Sequence, residues 1–146
     1  MKNNTTKWHI FYVLNILVSL VLGLTVYVCW RPDTYVSQVV YNILGITSNI
    51  GSFIYLLPDW IISFCRNFLA DMLWAYALTF TICYIWWDFR KSMLSVFVIT
   101  TAFEVGIEFF QKMGIMSGTF DWLDIILEVC ISALIMLFIK TIHKEN

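Results

Sequence analysis

Six acidic side chains fall within or beside long apolar segments of this chain, which has ten acidic residues in all. They are Asp71, Glu104, Glu108, Asp121, Asp124 and Glu128. A charged side chain at the centre of a bilayer costs about 2.5–3.5 kcal/mol on insertion scales, so it persists where it faces protein or water or carries a proton. Carboxyl groups in such a setting can bind cations, move protons or act as general acids and bases. These six are therefore the candidate functional residues.

Polar residues around these acids recur at three- and four-residue intervals, which place them on one face of a helix. The three resulting stripes are Asn67, Asp71 and Trp74; Glu104, Glu108 and Gln111; and Asp121, Asp124 and Glu128. Arg66 directly precedes the first stripe, Lys112 directly follows the second, and Arg31 is more distant. We therefore predict that the three stripes and Arg66 form one binding site.

The elements that must position these residues follow from the composition, which is 60 % apolar and only 13 % charged. Soluble domains are about one quarter charged, and a small soluble domain leaves much of its surface wet. A bilayer core takes about 20 apolar residues of helix, and open strands there would leave backbone groups unpaired. Segments of this kind cover about 10–30, 68–87, 93–111 and 122–139. The sequence thus predicts an all-α membrane protein, with a single transmembrane domain of four helices over 1–146.

Lysine and arginine residues predict the orientation of these helices, because cytoplasmic loops carry an excess of them. With the N-terminus inside, six lie on the cytoplasmic side and three on the outer side. We therefore predict a multi-pass protein of the plasma membrane with both termini in the cytoplasm. At 1.5 Å per residue, the six acids would lie within about 12 Å of the outer helix ends. The prediction is one cavity in the outer half of the membrane.

The segment between the first two spans is too long for a turn and too apolar for a solvated loop. Pro58 followed by Asp59 is typical of a helix start, because proline suits the first turn and an acid suits the positive end of the helix dipole. We predict an outer interfacial helix over Pro58–Arg66 that leads into the second span. A re-entrant segment around 41–57 is the alternative.

The charge balance of the predicted cavity leaves two alternatives. Few cations lie near enough to neutralise six acids, so either several acids are protonated or a cation binds. Asp71, Glu108 and Asp124 are the candidate ligands, and without a nearby histidine or cysteine they favour Mg²⁺ or Ca²⁺ over Zn²⁺. For any single acid, a structural role in helix–helix hydrogen bonds is the alternative. A net charge of −1 without a basic stripe argues against a nucleic-acid partner.

Three short motifs resemble the VanZ-like membrane protein family, over about residues 58–140. They are RNFLADMLW at 66–74, EFFQ at 108–111 and GTFDWLD at 118–124. The family's motif positions correspond here to Asp71, Glu108, Gln111, Asp121 and Asp124. In the last span, where the family often has asparagine and glycine, this chain has Glu128 and Ser132. The resemblance implies a bacterial cell-envelope protein, since the founding member is similar to a low-level resistance factor against the glycopeptide teicoplanin.

Three functions stay open from the sequence. The first is a cavity that binds, or limits access to, a cationic or lipid-linked envelope molecule or a lipopeptide, which the resemblance extends to antibiotic resistance. The second is an intramembrane enzyme acting on a lipid-linked substrate, with Glu108 as base and Asp124 as a ligand of Mg²⁺. The third is an ion or proton pathway through a homo-oligomer. No serine, cysteine or histidine constellation suits nucleophilic catalysis, which favours a binding protein in contact with membrane lipid.

Overall fold

The computed structural model describes residues 2–31, 34–45, 57–86, 89–116 and 119–144, and over these ranges the chain is helical without strands. The helices are α1 (Lys2–Trp30), α2 (Tyr35–Leu44), α3 (Asp59–Phe64), α4 (Ala70–Ile85), α5 (Phe89–Lys112) and α6 (Trp122–Lys144). A π-helical turn, Cys65–Leu69, joins α3 to α4 without a break. The predicted all-α class is therefore confirmed.

Four helical stretches are long and apolar enough to span a membrane. They are Thr6–Trp30, Asp59–Ile85, Met93–Lys112 and Trp122–Ile142. Three of them match the predicted spans closely. The second starts at Asp59 instead of near Phe68, because α3, the π turn and α4 form one helix of 27 residues.

The connection between the first two spanning stretches differs in part from the prediction. Pro58 precedes α3 at a φ of −57°, and Asp59 lies in the first turn, as this pair of residues predicted. The predicted helix over Pro58–Arg66 is present over most of its length, but it forms the first part of the second stretch, and its predicted interfacial position stays a prediction. The re-entrant alternative for 41–57 falls mainly on 46–56, outside the described residues.

Helix α2 lies against the C-terminal end of α1 and adds hydrogen bonds to its last carbonyl groups. The last carbonyl groups of an α-helix have no partner within the helix. Ser37 Oγ lies 2.9 Å from the main-chain oxygen of Tyr27, and the Tyr41 hydroxyl donates to the main-chain oxygen of Val28 at 2.5 Å. Gly45 ends α2 in the left-handed conformation, at a φ of 63°, which glycine adopts without steric cost.

Helix α4 is the centre of the bundle and contacts α1, α5 and α6. The apolar core is formed by early residues of α1 and α5 with late residues of α4 and α6: Tyr12, Phe80, Cys83, Val96, Ile135, Met136 and Ile139. Neighbouring helices therefore alternate in direction. It follows that the C-terminal ends of α1 and α5 meet the N-terminal ends of α4 and α6 at the other end of the bundle.

Phe80→Ala should destabilise the bundle, because this fully buried ring contacts Tyr12 and its truncation leaves a cavity. We expect a loss of about 3 kcal/mol in the free energy of unfolding, measured by titrating the purified protein with a denaturing detergent. Phe138→Ala is the matched control, since that ring is 50 % exposed on α6, and we expect a change under about 0.5 kcal/mol. Equal losses in the two variants would contradict this packing.

Candidate functional site

A polar cavity of about 730 Å³ lies at the end of the bundle opposite the apolar core. Its lining residues are Tyr27, Arg31, Arg66, Asn67, Phe68, Asp71, Glu108, Gln111, Thr119, Asp121 and Asp124. They come from the end of α1, the π turn, the start of α4, the end of α5 and the segment that enters α6. Seven of the ten residues predicted to bind line this one cavity.

The guanidinium of Arg31 joins the end of α1 to the second spanning stretch. Its Nε donates to the main-chain oxygen of Arg66 at 2.6 Å, and an Nη donates to that of Asn67 at 2.9 Å. The same Nη lies 3.7 Å from a carboxylate oxygen of Asp71. Both carbonyl groups belong to the π turn, and π turns often occur at functional sites.

Arg31 was missed as a site residue by the sequence reasoning, which placed it too far from the acids. The ion-pair partner of Asp71 is Arg31. The guanidinium of Arg31 also lies over the Tyr27 ring, with its Cζ atom 5.4 Å from the ring centroid. An aromatic face attracts a cation at this distance. Tyr27 therefore belongs to the wall that holds Arg31, although no sequence pattern singled it out.

Glu108 and Asp121 join the end of α5 to the start of α6. The backbone N–H of Asp121 donates to Glu108 Oε2 at 3.3 Å. Asp121 Oδ1 accepts from the backbone N–H of Leu123 at 2.9 Å, which makes Asp121 the N-cap of α6. Glu108 is only 4 % exposed. Both acids thus have a structural bond, and both face the cavity.

Asp124 differs from the other acids of the cavity, because one of its oxygens is both buried and without a hydrogen-bond partner. Its Oδ1 atom is buried and accepts no hydrogen bond from any described residue. A buried oxygen in this state costs about 1–3 kcal/mol, and more if it is charged. Such atoms are rare in native proteins and each calls for an explanation. A bound donor in the cavity is the explanation that also uses the other lining residues.

The charges that line the cavity do not balance. The four acids are Asp71, Glu108, Asp121 and Asp124, and the two cations are Arg31 and Arg66. With all six ionised, the lining has a net charge of −2, which is two positive charges minus four negative ones. The Arg31 guanidinium is already occupied by two carbonyl groups and Asp71. The cavity is therefore suited to a positively charged group.

Three predicted site residues do not line the cavity. Trp74 is 48 % exposed on the outside of α4. Glu104 and Glu128 are 1 % and 5 % exposed and lie deeper in the bundle. Glu104 Oε1 is 2.5 Å from the Ser132 hydroxyl oxygen, which is 2.8 Å from that of Thr79. These two acids form a buried polar layer between the cavity and the apolar core.

The arrangement of the carboxylates does not support a binding site for a divalent cation. Within the described residues, no three histidine, cysteine, aspartate or glutamate side chains are grouped so as to hold a metal ion. Asp71, Glu108 and Asp124 share the cavity, but Asp71 is paired with Arg31 and Glu108 accepts from Asp121. An organic cation with several N–H donors suits this spread of acceptors better than a compact ion.

Comparisons with known proteins do not identify a function for this chain. No family model, curated protein or solved structure matches this chain significantly. The resemblance of the three sequence motifs to the VanZ-like family therefore stays a prediction. What can be said of function follows from the cavity, its charges and its unpartnered oxygen.

Arg31→Lys should weaken the join between α1 and the π turn even though the charge is kept. An ammonium group lacks the planar fork of donors that reaches two carbonyl groups and a carboxylate together. We expect a loss of about 2 kcal/mol in the free energy of unfolding, measured in the same detergent titration. Arg66→Lys is the control, since the Arg66 side chain is exposed and forms no ion pair with a described residue. A larger loss for Arg66→Lys would contradict the assignment.

Proposed function

We propose that this chain is a multi-pass membrane protein whose cavity binds the cationic group of a lipid-linked envelope molecule or lipopeptide, or limits access to it. The observation that carries the proposal is the unpartnered Asp124 Oδ1 in a cavity with four acids and two arginines. An ammonium group has three N–H donors and no acceptor. It would complete the hydrogen bonding of Asp124 and offset the excess negative charge.

Apolar side chains around the cavity support a ligand with a lipid portion. Trp60 and Phe64 on α3, and Trp122 and Leu123 at the start of α6, are exposed at the helix ends that frame the cavity. Tryptophan is enriched where a membrane meets water. We place α2 and α3 at this interface, so that a ligand could insert its polar group into the cavity while its acyl chain stays in lipid.

The distribution of cations supports a cavity that faces the outside of the cell. Six of the nine lysine and arginine residues belong to the helix ends opposite the cavity, and three to the ends beside it. The six are Lys2, Lys7, Arg90, Lys91, Lys140 and Lys144. The excess of lysine and arginine at that end is expected on the cytoplasmic side. With both termini in the cytoplasm, the cavity opens toward the cell envelope, where lipid-linked precursors and lipopeptides are found.

The VanZ-like resemblance gives the proposal a more specific form. Its motif residues Asp71, Glu108, Gln111, Asp121 and Asp124 come from three different helices or their ends, and all of them line the same cavity. This grouping supports a shared role for the three motifs. We propose that the role is resistance to glycopeptide or lipopeptide antibiotics, in which the cavity binds the drug or its lipid-linked target.

One observation favours a second function, an intramembrane enzyme for a lipid-linked substrate. Glu108 and Asp124 share the cavity with Arg66, whose exposed guanidinium is placed to hold a phosphate while a carboxylate acts as base. A continuous ion pathway is less well supported. Below Thr79 the described interior is apolar, with Phe80, Val96 and Met136 fully or almost fully buried.

Asp124→Asn should weaken binding of a long-chain alkylammonium probe by about ten- to hundredfold, because one charge-assisted hydrogen bond is worth about 1.5–3 kcal/mol. We would measure this by titrating dodecylammonium into the protein in lipid nanodiscs and following tryptophan fluorescence. Asp59→Asn is the matched control, since Asp59 is exposed on α3 and does not line the cavity. Dodecyl sulfate tests the charge preference. Equal binding of the sulfate, or equal loss in the two variants, would reject a cation site.

Expression of the chain in a susceptible Gram-positive host should raise tolerance to teicoplanin if the resistance proposal holds. Asp124→Asn and Glu108→Gln should each remove most of that gain, because they neutralise acids that face the cavity. Minimum inhibitory concentrations are the measurement, with membrane levels of each variant checked by immunoblot. Asp59→Asn should keep the gain. Alkylammonium binding without any change in tolerance would keep the cation site and reject the antibiotic role.

A further inference from the structure

Three close polar contacts run in series beneath the cavity and connect α5, α6 and α4. Glu104 Oε1 lies 2.5 Å from Ser132 Oγ, Ser132 Oγ lies 2.8 Å from Thr79 Oγ1, and Thr79 Oγ1 lies 2.8 Å from the main-chain oxygen of Ala75. Ser132 and Thr79 are fully buried and Glu104 is 1 % exposed. All three distances are those of hydrogen bonds between oxygen atoms.

The number of hydrogen atoms in this series determines which groups donate. When each contact between oxygen atoms has its own hydrogen, three contacts take three hydrogens, and each hydroxyl group supplies one. The Ala75 carbonyl can only accept, so the Thr79 hydrogen points at it. The Ser132 hydrogen then fills the contact with Thr79. The contact between Ser132 and Glu104 has no hydrogen left unless the carboxyl group itself carries one.

The surroundings of Glu104 also favour a neutral carboxyl group, because they do not stabilise a negative charge. Among the described residues it has no ion-pair partner, and its Oε2 atom accepts no hydrogen bond. The neighbouring helix α6 contributes Glu128, a second buried carboxyl group within electrostatic range. Glu108 lies one turn away on α5, and Asp71 on α4 is already paired with Arg31. An isolated charge buried in this way would be strongly unfavourable.

We infer that Glu104 is a proton-binding site: its carboxyl group carries a hydrogen and donates it to Ser132, which donates to Thr79, which donates to the Ala75 carbonyl. The neutral acid thus acts as a hydrogen-bond donor that ties α5 to α6 and, through Ser132 and Thr79, to α4. The four acids that line the cavity supply the negative charge that faces a ligand. In the layer below them, the hydrogen on Glu104 forms the hydrogen bond that joins the helices. Nothing in this inference requires the cavity to bind a cation.

Infrared spectroscopy of the full chain in lipid tests the inference. A protonated carboxyl group has a C=O stretching band above the amide bands, which shifts to lower frequency in D₂O, whereas a carboxylate absorbs well below it. We expect Glu104→Gln to remove such a band at neutral pH and to leave the carboxylate bands unchanged. Glu128→Gln is the matched control, since Glu128 is also buried but is not in hydrogen-bond contact with Ser132. It should leave the Glu104 band in place.

Ser132→Ala is a second test of the inference, which applies even if Glu104→Gln does not fold. Removal of the Ser132 hydroxyl takes away the acceptor of the Glu104 hydrogen, so the C=O band of Glu104 should persist and move to higher frequency. A change confined to the carboxylate region, in either variant, would show that Glu104 is ionised and would overturn the inference. An unchanged C=O region in Ser132→Ala would overturn it as well. Alkylammonium binding by the wild type is measured separately, so failure of one proposal does not decide the other.

Discussion

The bond between Arg31 and the π turn is the interaction on which the arrangement of the cavity depends. One guanidinium at the end of α1 donates to two main-chain carbonyl groups and faces Asp71. A planar group with several donors can serve two main-chain carbonyl groups together. The bond fixes the end of α1 against the start of α4. Arg31 itself lines the cavity.

The remaining polar groups divide into two layers with different chemistry. The upper layer contains ionisable groups that face a cavity, and one of its oxygens, Asp124 Oδ1, lacks a partner. The lower layer contains Glu104, Ser132 and Thr79, whose contacts with one another are close and buried. Unpaired acceptors next to open space suit a ligand. Continuous hydrogen bonds suit the joining of helices, since polar contacts between helices are a main source of association in lipid.

Much of this arrangement could be predicted from the sequence, because hydropathy and helical spacing depend on local residues. Four apolar stretches, alternating in direction, bring the acids of three helices to one end, and seven of the predicted residues line the cavity. The depth of each acid was the weaker part of the prediction. Glu104 is four residues before Glu108, which is about 6 Å along a helix, enough to take it out of the cavity and into the buried layer.

Arg31 and Trp74 show why the rest could not be predicted. The contact of Arg31 with the π turn depends on how α1 packs against α4, which no pattern within α1 specifies. Trp74 lies three residues after Asp71, and Ala75 and Thr79 lie four and eight residues after it. Those two residues are fully buried, so the inner face of α4 follows the four-residue interval. A residue three positions after Asp71 lies outside this inner face of the helix, and Trp74 is accordingly exposed.

The π turn also sets the phase of the helix that carries Asp71. A π turn holds one more residue than an α-helical turn, and one residue corresponds to about 100° of rotation. The three- and four-residue intervals that define one face of α3 therefore do not continue unchanged into α4. Shortening Cys65–Leu69 by a single residue would turn the π turn into an α-helical turn, so that Asp71, Ala75 and Thr79 would keep their inward orientation and the two helices would share one residue spacing.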